Sequence, residues 1–101
     1  MISKAQVKHI QSLQDKKYRL EHLQFLVEGD KMVRELFRCS FSIVEIVCLP
    51  EWFDEHQQLL KNVSFQIVRE DVLQRCSKLK TANQVLAIVN LPKPSFQLHC
   101  P

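Results

Sequence analysis

Lys16-Lys17-Tyr18-Arg19 is the segment whose residue types and spacing could do chemistry, with three cations set around one phenol ring. Closely spaced cations neutralise phosphates and release their condensed counterions, and an exposed aromatic ring stacks on an unpaired base. Lys4 and Lys8 precede this segment. Residues 1–19 therefore hold five cations against Asp15 alone, a local charge of +4, while the other 82 residues sum to −1. Arg75, Lys78 and Lys80 make a second basic group, and Glu51, Asp54 and Glu55 make an acidic one around Trp52. One end of the molecule should be electropositive and attract a polyanion, for which nucleic acid is the common choice in the cytoplasm. The competing reading is a solvated basic helix face with no ligand.

Other chemistries find little support. Gly29 is the single glycine among 101 residues, whereas phosphate-cradling loops and dinucleotide fingerprints need two or three close together. His9, His22, His56 and His99 are far apart in sequence, so no metal-ligand spacing is present and no metal is expected. No nucleophile motif occurs, and no residue qualifies as catalytic. Cys39, Cys48, Cys76 and Cys100 include no C-x-x-C pair and read as reduced thiols, most of them in core segments. Apolar runs such as Ile46-Val47-Cys48-Leu49 are far too short to span a bilayer, and Met1-Ile2-Ser3-Lys4 opens no signal-peptide pattern. The expectation is a cytoplasmic protein with no membrane partner.

The elements that must position the basic residues follow from periodicity. Ser3 caps a helix with Val7, Ile10 and Leu13 inward and Lys4, Lys8 and Gln11 outward. Asp15 to Arg19 shows no clear period and reads as a basic loop. Leu23 to Val27 reads as a buried strand with Glu28-Gly29 as its exit turn, and Asp30 as the cap of a helix carrying Met32, Val33, Leu36 and Phe37. Ile43 to Leu49 is a strand covered on both faces, after which Pro50 suits the first turn of a helix bearing Trp52, Phe53, Leu59 and Leu60. Val63, Phe65 and Ile67 alternate as a third strand. Glu70 and Asp71 begin a helix with Val72, Leu73, Cys76 and Leu79 as its stripe, and Val85 to Val89 is the last strand. Strand–helix alternation predicts an α/β fold, a three-layer α/β/α sandwich of about four strands in a largely parallel sheet with helices on both faces. Residues 1–91 form the expected domain. Residues 92–101, with Pro92 and Pro94, read as a linker towards a further domain absent from this chain.

Lys16-Lys17-Tyr18-Arg19 followed by Phe25-Leu26-Val27-Glu28-Gly29-Asp30-Lys31-Met32-Val33-Arg34-Glu35 resembles the N-terminal substrate-binding domain of the SpoU, or TrmH, family of RNA 2′-O-ribose methyltransferases. A second landmark, Leu79-Lys80-Thr81-Ala82-Asn83-Gln84-Val85-Leu86-Ala87-Ile88-Val89, lies in the matching place. Ala82 stands where that family usually has proline and Gln84 where it usually has glycine, which bears on the backbone of that loop. The resemblance covers residues 3 to about 91.

The resemblance implies a fold like the small ribosomal RNA-binding proteins and an RNA-recognition role, with ribosomal RNA as the substrate class. It also implies a parent enzyme that binds S-adenosylmethionine and pairs as a homodimer through a C-terminal knotted domain. This stretch would then be non-catalytic, without cofactor and monomeric by itself. The expected RNA-binding residues are Lys16, Lys17, Tyr18 and Arg19, supported by Lys4, Lys8, Lys78 and Lys80. Two alternatives stand beside it: a stand-alone RNA-binding protein of the same fold, and a protein-interaction module using Trp52 and its acidic helix.

Overall fold

In the computed structural model, which describes residues 2–39, 41–77 and 84–91, the chain begins with two helices, α1 (Lys4–Ser12) and α2 (Lys16–His22). There follow β1 (Gln24–Glu28), α3 (Asp30–Arg38), β2 (Ile43–Cys48), α4 (Pro50–Glu55), β3 (Phe65–Ile67), α5 (Glu70–Cys76) and β4 (Val85–Asn90). The expected linker at 92–101 lies outside the described residues. Ser3 and Gln6 close α1 with a reciprocal capping box, at 3.1 Å from the Gln6 N–H and 2.9 Å from the Ser3 N–H.

The strands line up as β1-β4-β2-β3. β4 runs antiparallel to both β1 and β2, and β2 and β3 are parallel. The sheet is thus mixed, not largely parallel. A run such as Val85-Leu86-Ala87-Ile88-Val89 reads the same whichever way its strand points, so alternation of elements leaves direction open. The chain itself shows why β4 reverses. Helix α5 has seven residues, about 10 Å, and the residue after it, Ser77, donates its hydroxyl proton to Glu28 at the exit end of β1. The Gly29 N–H meets the Val85 carbonyl at 3.0 Å at that same end. Ser77 and Val85, the described ends of the final connection, both lie at that end of the sheet, so β4 starts where β1 and β2 finish.

Helices cover both faces, as the alternation predicts. On one, Val7 and Ile10 of α1, its C-cap Leu13, and Leu73 and Cys76 of α5 pack on Val47, Leu86 and Ile88. On the other, Val33 and Leu36 of α3, Trp52 of α4 and Leu60 pack on Ile46, Cys48, Val85, Ala87 and Val89. β4 therefore divides its side chains between two cores by the strand's period of two, which is why its sequence is apolar throughout.

Further local expectations change. Gly29, with φ 104° and ψ 145°, is the N-cap of α3, and Asp30 is its first helical residue. That backbone region is all but closed to residues with a Cβ, so the glycine is a steric requirement of this turn. Helix α4 stops at Glu55, although Leu60 beyond it is still buried. Phe65 and Ile67 stay 36% and 41% exposed because β3 is an edge strand, although Phe53 of α4 stacks on the Phe65 ring at 5.3 Å.

Candidate nucleic-acid interface

The basic segment is helical. The Asp15 carboxylate accepts the Lys17 N–H at 3.0 Å and so starts α2 at Lys16. Periodicity misses this helix for a physical reason: none of its residues is buried, so it has no apolar stripe to detect. It ends on Leu23, whose φ of 56° and ψ of 44° are left-handed. For a residue with a Cβ that conformation costs about 1–2 kcal/mol. Two bonds offset it, from the Leu23 N–H to the Arg19 carbonyl and from the Leu91 N–H to the Leu23 carbonyl at 2.8 Å.

Lys16, Lys17 and Tyr18 are exposed, and the Lys17 Nζ lies 5.7 Å from the centre of the Tyr18 ring. The two lysines occupy the first turn of the helix, where its dipole disfavours cations and the Asp15 carboxylate at the N-cap offsets only part of their charge. A bound polyanion would relieve that charge. Lys4 and Lys8 lie one turn apart on the exposed side of α1, as expected. The two helices meet through an edge-to-face contact of His9 and His22, with ring centres 4.8 Å apart, and His9 Nε2 sits 2.7 Å from Gln24 Oε1. Lys78 and Lys80 lie outside the described residues, as does Ala82. Gln84 is described, and its carbonyl accepts the Leu49 N–H at 2.9 Å.

Arg19 behaves differently from its neighbours. It is half-buried, and its Nη1 donates to the carbonyls of Leu13 and Gln14 at 3.4 and 3.2 Å, closing the C-terminal end of α1. Beside it is a cleft lined by Leu13, Gln14, Phe25, Leu26 and Glu28. Gln14 is fixed by its Nε2 donating to the Cys76 carbonyl at 3.0 Å, and Gln11 does the same to the Arg75 carbonyl at 2.9 Å. Sequence reasoning passed over Gln14, since an amide on a short helix carries no pattern of its own.

Trp52 is fully buried, stacks on His56 at 4.1 Å and donates its indole N–H to Asp30 at 2.8 Å. That indole bond, with Arg34 beside it, holds the Asp30 carboxyl below the usual aspartate range. The tryptophan is thus no platform for a base or anchor for a partner protein. Cys48 and Cys76 are buried, and burial pushes the Cys48 thiol up to about 11, while Cys39 is the exposed thiol of the three described. Among the described residues no cluster of metal-ligating side chains occurs, and no helix is long and apolar enough to cross a membrane.

Comparisons with known proteins agree with this architecture. Residues 4–87 match the family described as the MRM3-like substrate binding domain, and the chain belongs to that family. Among solved structures, it is similar to a protein of the TrmH family of RNA methyltransferases from Porphyromonas gingivalis, at 27% identity and TM-score 0.72 over 91% of this chain and 36% of that one. An AdoMet-bound rRNA methyltransferase from Sinorhizobium meliloti matches at 23% identity and TM-score 0.71, over 91% of this chain and 36% of that one. The SpoU methyltransferase AviRb from Streptomyces viridochromogenes, in complex with AdoMet, matches at 17% identity and TM-score 0.75, over 90% of this chain and 37% of that one. The last two, at such identities, establish likeness of fold. The chain spans little more than a third of these proteins' lengths. No curated protein matches it.

Proposed function

We propose that this chain is the RNA-binding, substrate-recognition part of an S-adenosylmethionine-dependent RNA 2′-O-ribose methyltransferase, acting on ribosomal RNA. The observation that carries the reading is α2: Lys16, Lys17 and Tyr18 are held on a capped helix, exposed and unused by the core. Family membership and similarity to RNA methyltransferases point the same way. In this reading phosphates run along Lys16 and Lys17, with Lys4, Lys8, Lys78 and Lys80 adding long-range attraction, and an unpaired base stacks on Tyr18.

Methyl transfer belongs, in this reading, to a separate domain that binds the donor and pairs as a homodimer in the cytoplasm. The described residues at the carboxyl ends of the strands do not fit S-adenosylmethionine. The turn amides at the carboxyl ends of β1 and β2 are already bonded across the sheet, Gly29 to Val85 at 3.0 Å and Leu49 to Gln84 at 2.9 Å. Among the described residues no amide cradle for an adenosine is left at that end.

The test is titration of the chain with ribosomal RNA fragments by fluorescence anisotropy. Tyr18→Ala should weaken binding by about 1–3 kcal/mol with the salt dependence unchanged, because stacking releases no counterions. Replacing Glu51, Asp54 and Glu55 with alanine should strengthen binding slightly, and only at low salt. Loss of binding in the acidic-helix variant, with Tyr18→Ala unchanged, would place recognition on the other side of the molecule.

A further inference from the structure

Resting on the RNA-binding reading, the geometry points to a one-base pocket beside α2 that takes an unpaired guanine. The pocket is bounded by Leu13, Gln14, Arg19, Phe25, Leu26 and Glu28 and encloses about 240 Å³. Clefts for drug-sized ligands run from roughly 300 to 1,000 Å³, so a single planar ring system is the size that fits. Leu13, Leu26 and Phe25 supply apolar walls, while Arg19, Gln14 and Glu28 supply polar groups. Arg19 is the one cation among the described lining residues, and Leu13, Phe25 and Leu26 would strip water from a phosphate without replacing it. A neutral base, apolar on its faces and polar along its edge, matches both kinds of wall.

Arg19 selects among the bases. Its Nη1 is committed to the carbonyls of Leu13 and Gln14, at 3.4 and 3.2 Å, and those two bonds hold the guanidinium. The Nε and Nη2 edge makes no hydrogen bond to any described residue. Two parallel N–H groups on that edge match the O6 and N7 acceptors of guanine. Adenine would set its N6 amino group, a donor, against the same fork. Because Lys16, Lys17 and Tyr18 lie on the same helix, a single strand held there has a base within a nucleotide or two of Arg19 to turn inward.

The experiment is an NMR titration of the chain with GMP, AMP and CMP, followed by amide shifts. GMP should move the amides of Gln14, Arg19, Phe25 and Glu28 saturably, and AMP and CMP should need roughly tenfold higher concentrations. In parallel, an RNA hairpin with guanines in its loop should bind roughly tenfold tighter than the same hairpin with adenines, and Arg19→Lys should erase that preference while binding persists. Equal binding of both hairpins, with these amides unmoved by GMP, would overturn the pocket and leave RNA binding standing. Failure of either hairpin to bind at all would overturn RNA binding and the pocket together. Should Arg19→Lys fail to fold, as judged by circular dichroism, the GMP titration of the unaltered chain decides alone.

Discussion

Helix α4 turns Trp52 fully into the core and ties its indole to Asp30, whereas α2 buries no residue and leaves Lys16, Lys17 and Tyr18 to solvent. The two are similar in length, six residues against seven. Helix α4 persists through packing. Helix α2 persists through its ends, with the Asp15 carboxylate at one and the left-handed Leu23 at the other. A side chain locked in a core has no face left for a ligand, so recognition falls to the helix the core does not need. Aromatic character alone does not mark a binding surface, since the tryptophan beside the acidic cluster serves stability and the lone tyrosine is exposed.

The comparison can be broken most forcefully at α4. Trp52→Ala should destabilise the fold by about 3–5 kcal/mol in urea titration, a loss that would mark α4 as a structural anchor. A change under about 1 kcal/mol would instead make its burial incidental. Next in size is the turn that brings α3 towards Trp52. Gly29→Ala should cost about 1–3 kcal/mol, because its φ of 104° and ψ of 145° exclude a Cβ. A neutral result would show that the turn relaxes into another conformation.

Acid should sharpen the contrast. The Asp30 carboxyl titrates below its ordinary 3.8 because the folded state bonds its charged form. A depressed folded value gives stability that is full above 3.8 and is lost as pH falls through the folded value. Thermal melts between pH 6 and pH 2 should therefore show a loss in the native chain that Asp30→Asn lacks in that window; parallel curves would remove Asp30 from the account. The smallest effect belongs to α2. Leu23→Gly should raise stability by about 0.5–1 kcal/mol, since glycine relieves the left-handed strain and gives part of the gain back in chain entropy. A loss would mean the leucine packs more than its 44% exposure implies.

Much of this fold is written in apolar spacing. Val7, Ile10 and Leu13 announce α1, and Val85 to Val89 announces a strand covered on both faces, because burial imposes those periods. What burial does not impose was harder to read. Helix α2 has no buried residue, and the clue to it was a cap, Asp15 ahead of a charged run. The direction of β4 depends on how far a seven-residue helix carries the chain, which no residue spells out. In the candidate interface, Lys16, Lys17 and Tyr18 were legible as charge and ring, while the half-buried placement of Arg19 arose only when α1 ended against it.

Salt dependence of RNA binding in the paired variant Lys16→Ala, Lys17→Ala tests the central claim most directly. Neither lysine touches the core, so urea stability should stay within about 0.5 kcal/mol of the unaltered chain. Each phosphate contact contributes about 0.7 to 0.9 to the slope of log K against log salt, so the slope should flatten by about 1.5 units, for all RNA sequences alike. An unchanged slope, in a folded variant that binds ribosomal RNA as tightly as before, would contradict α2 as the recognition helix.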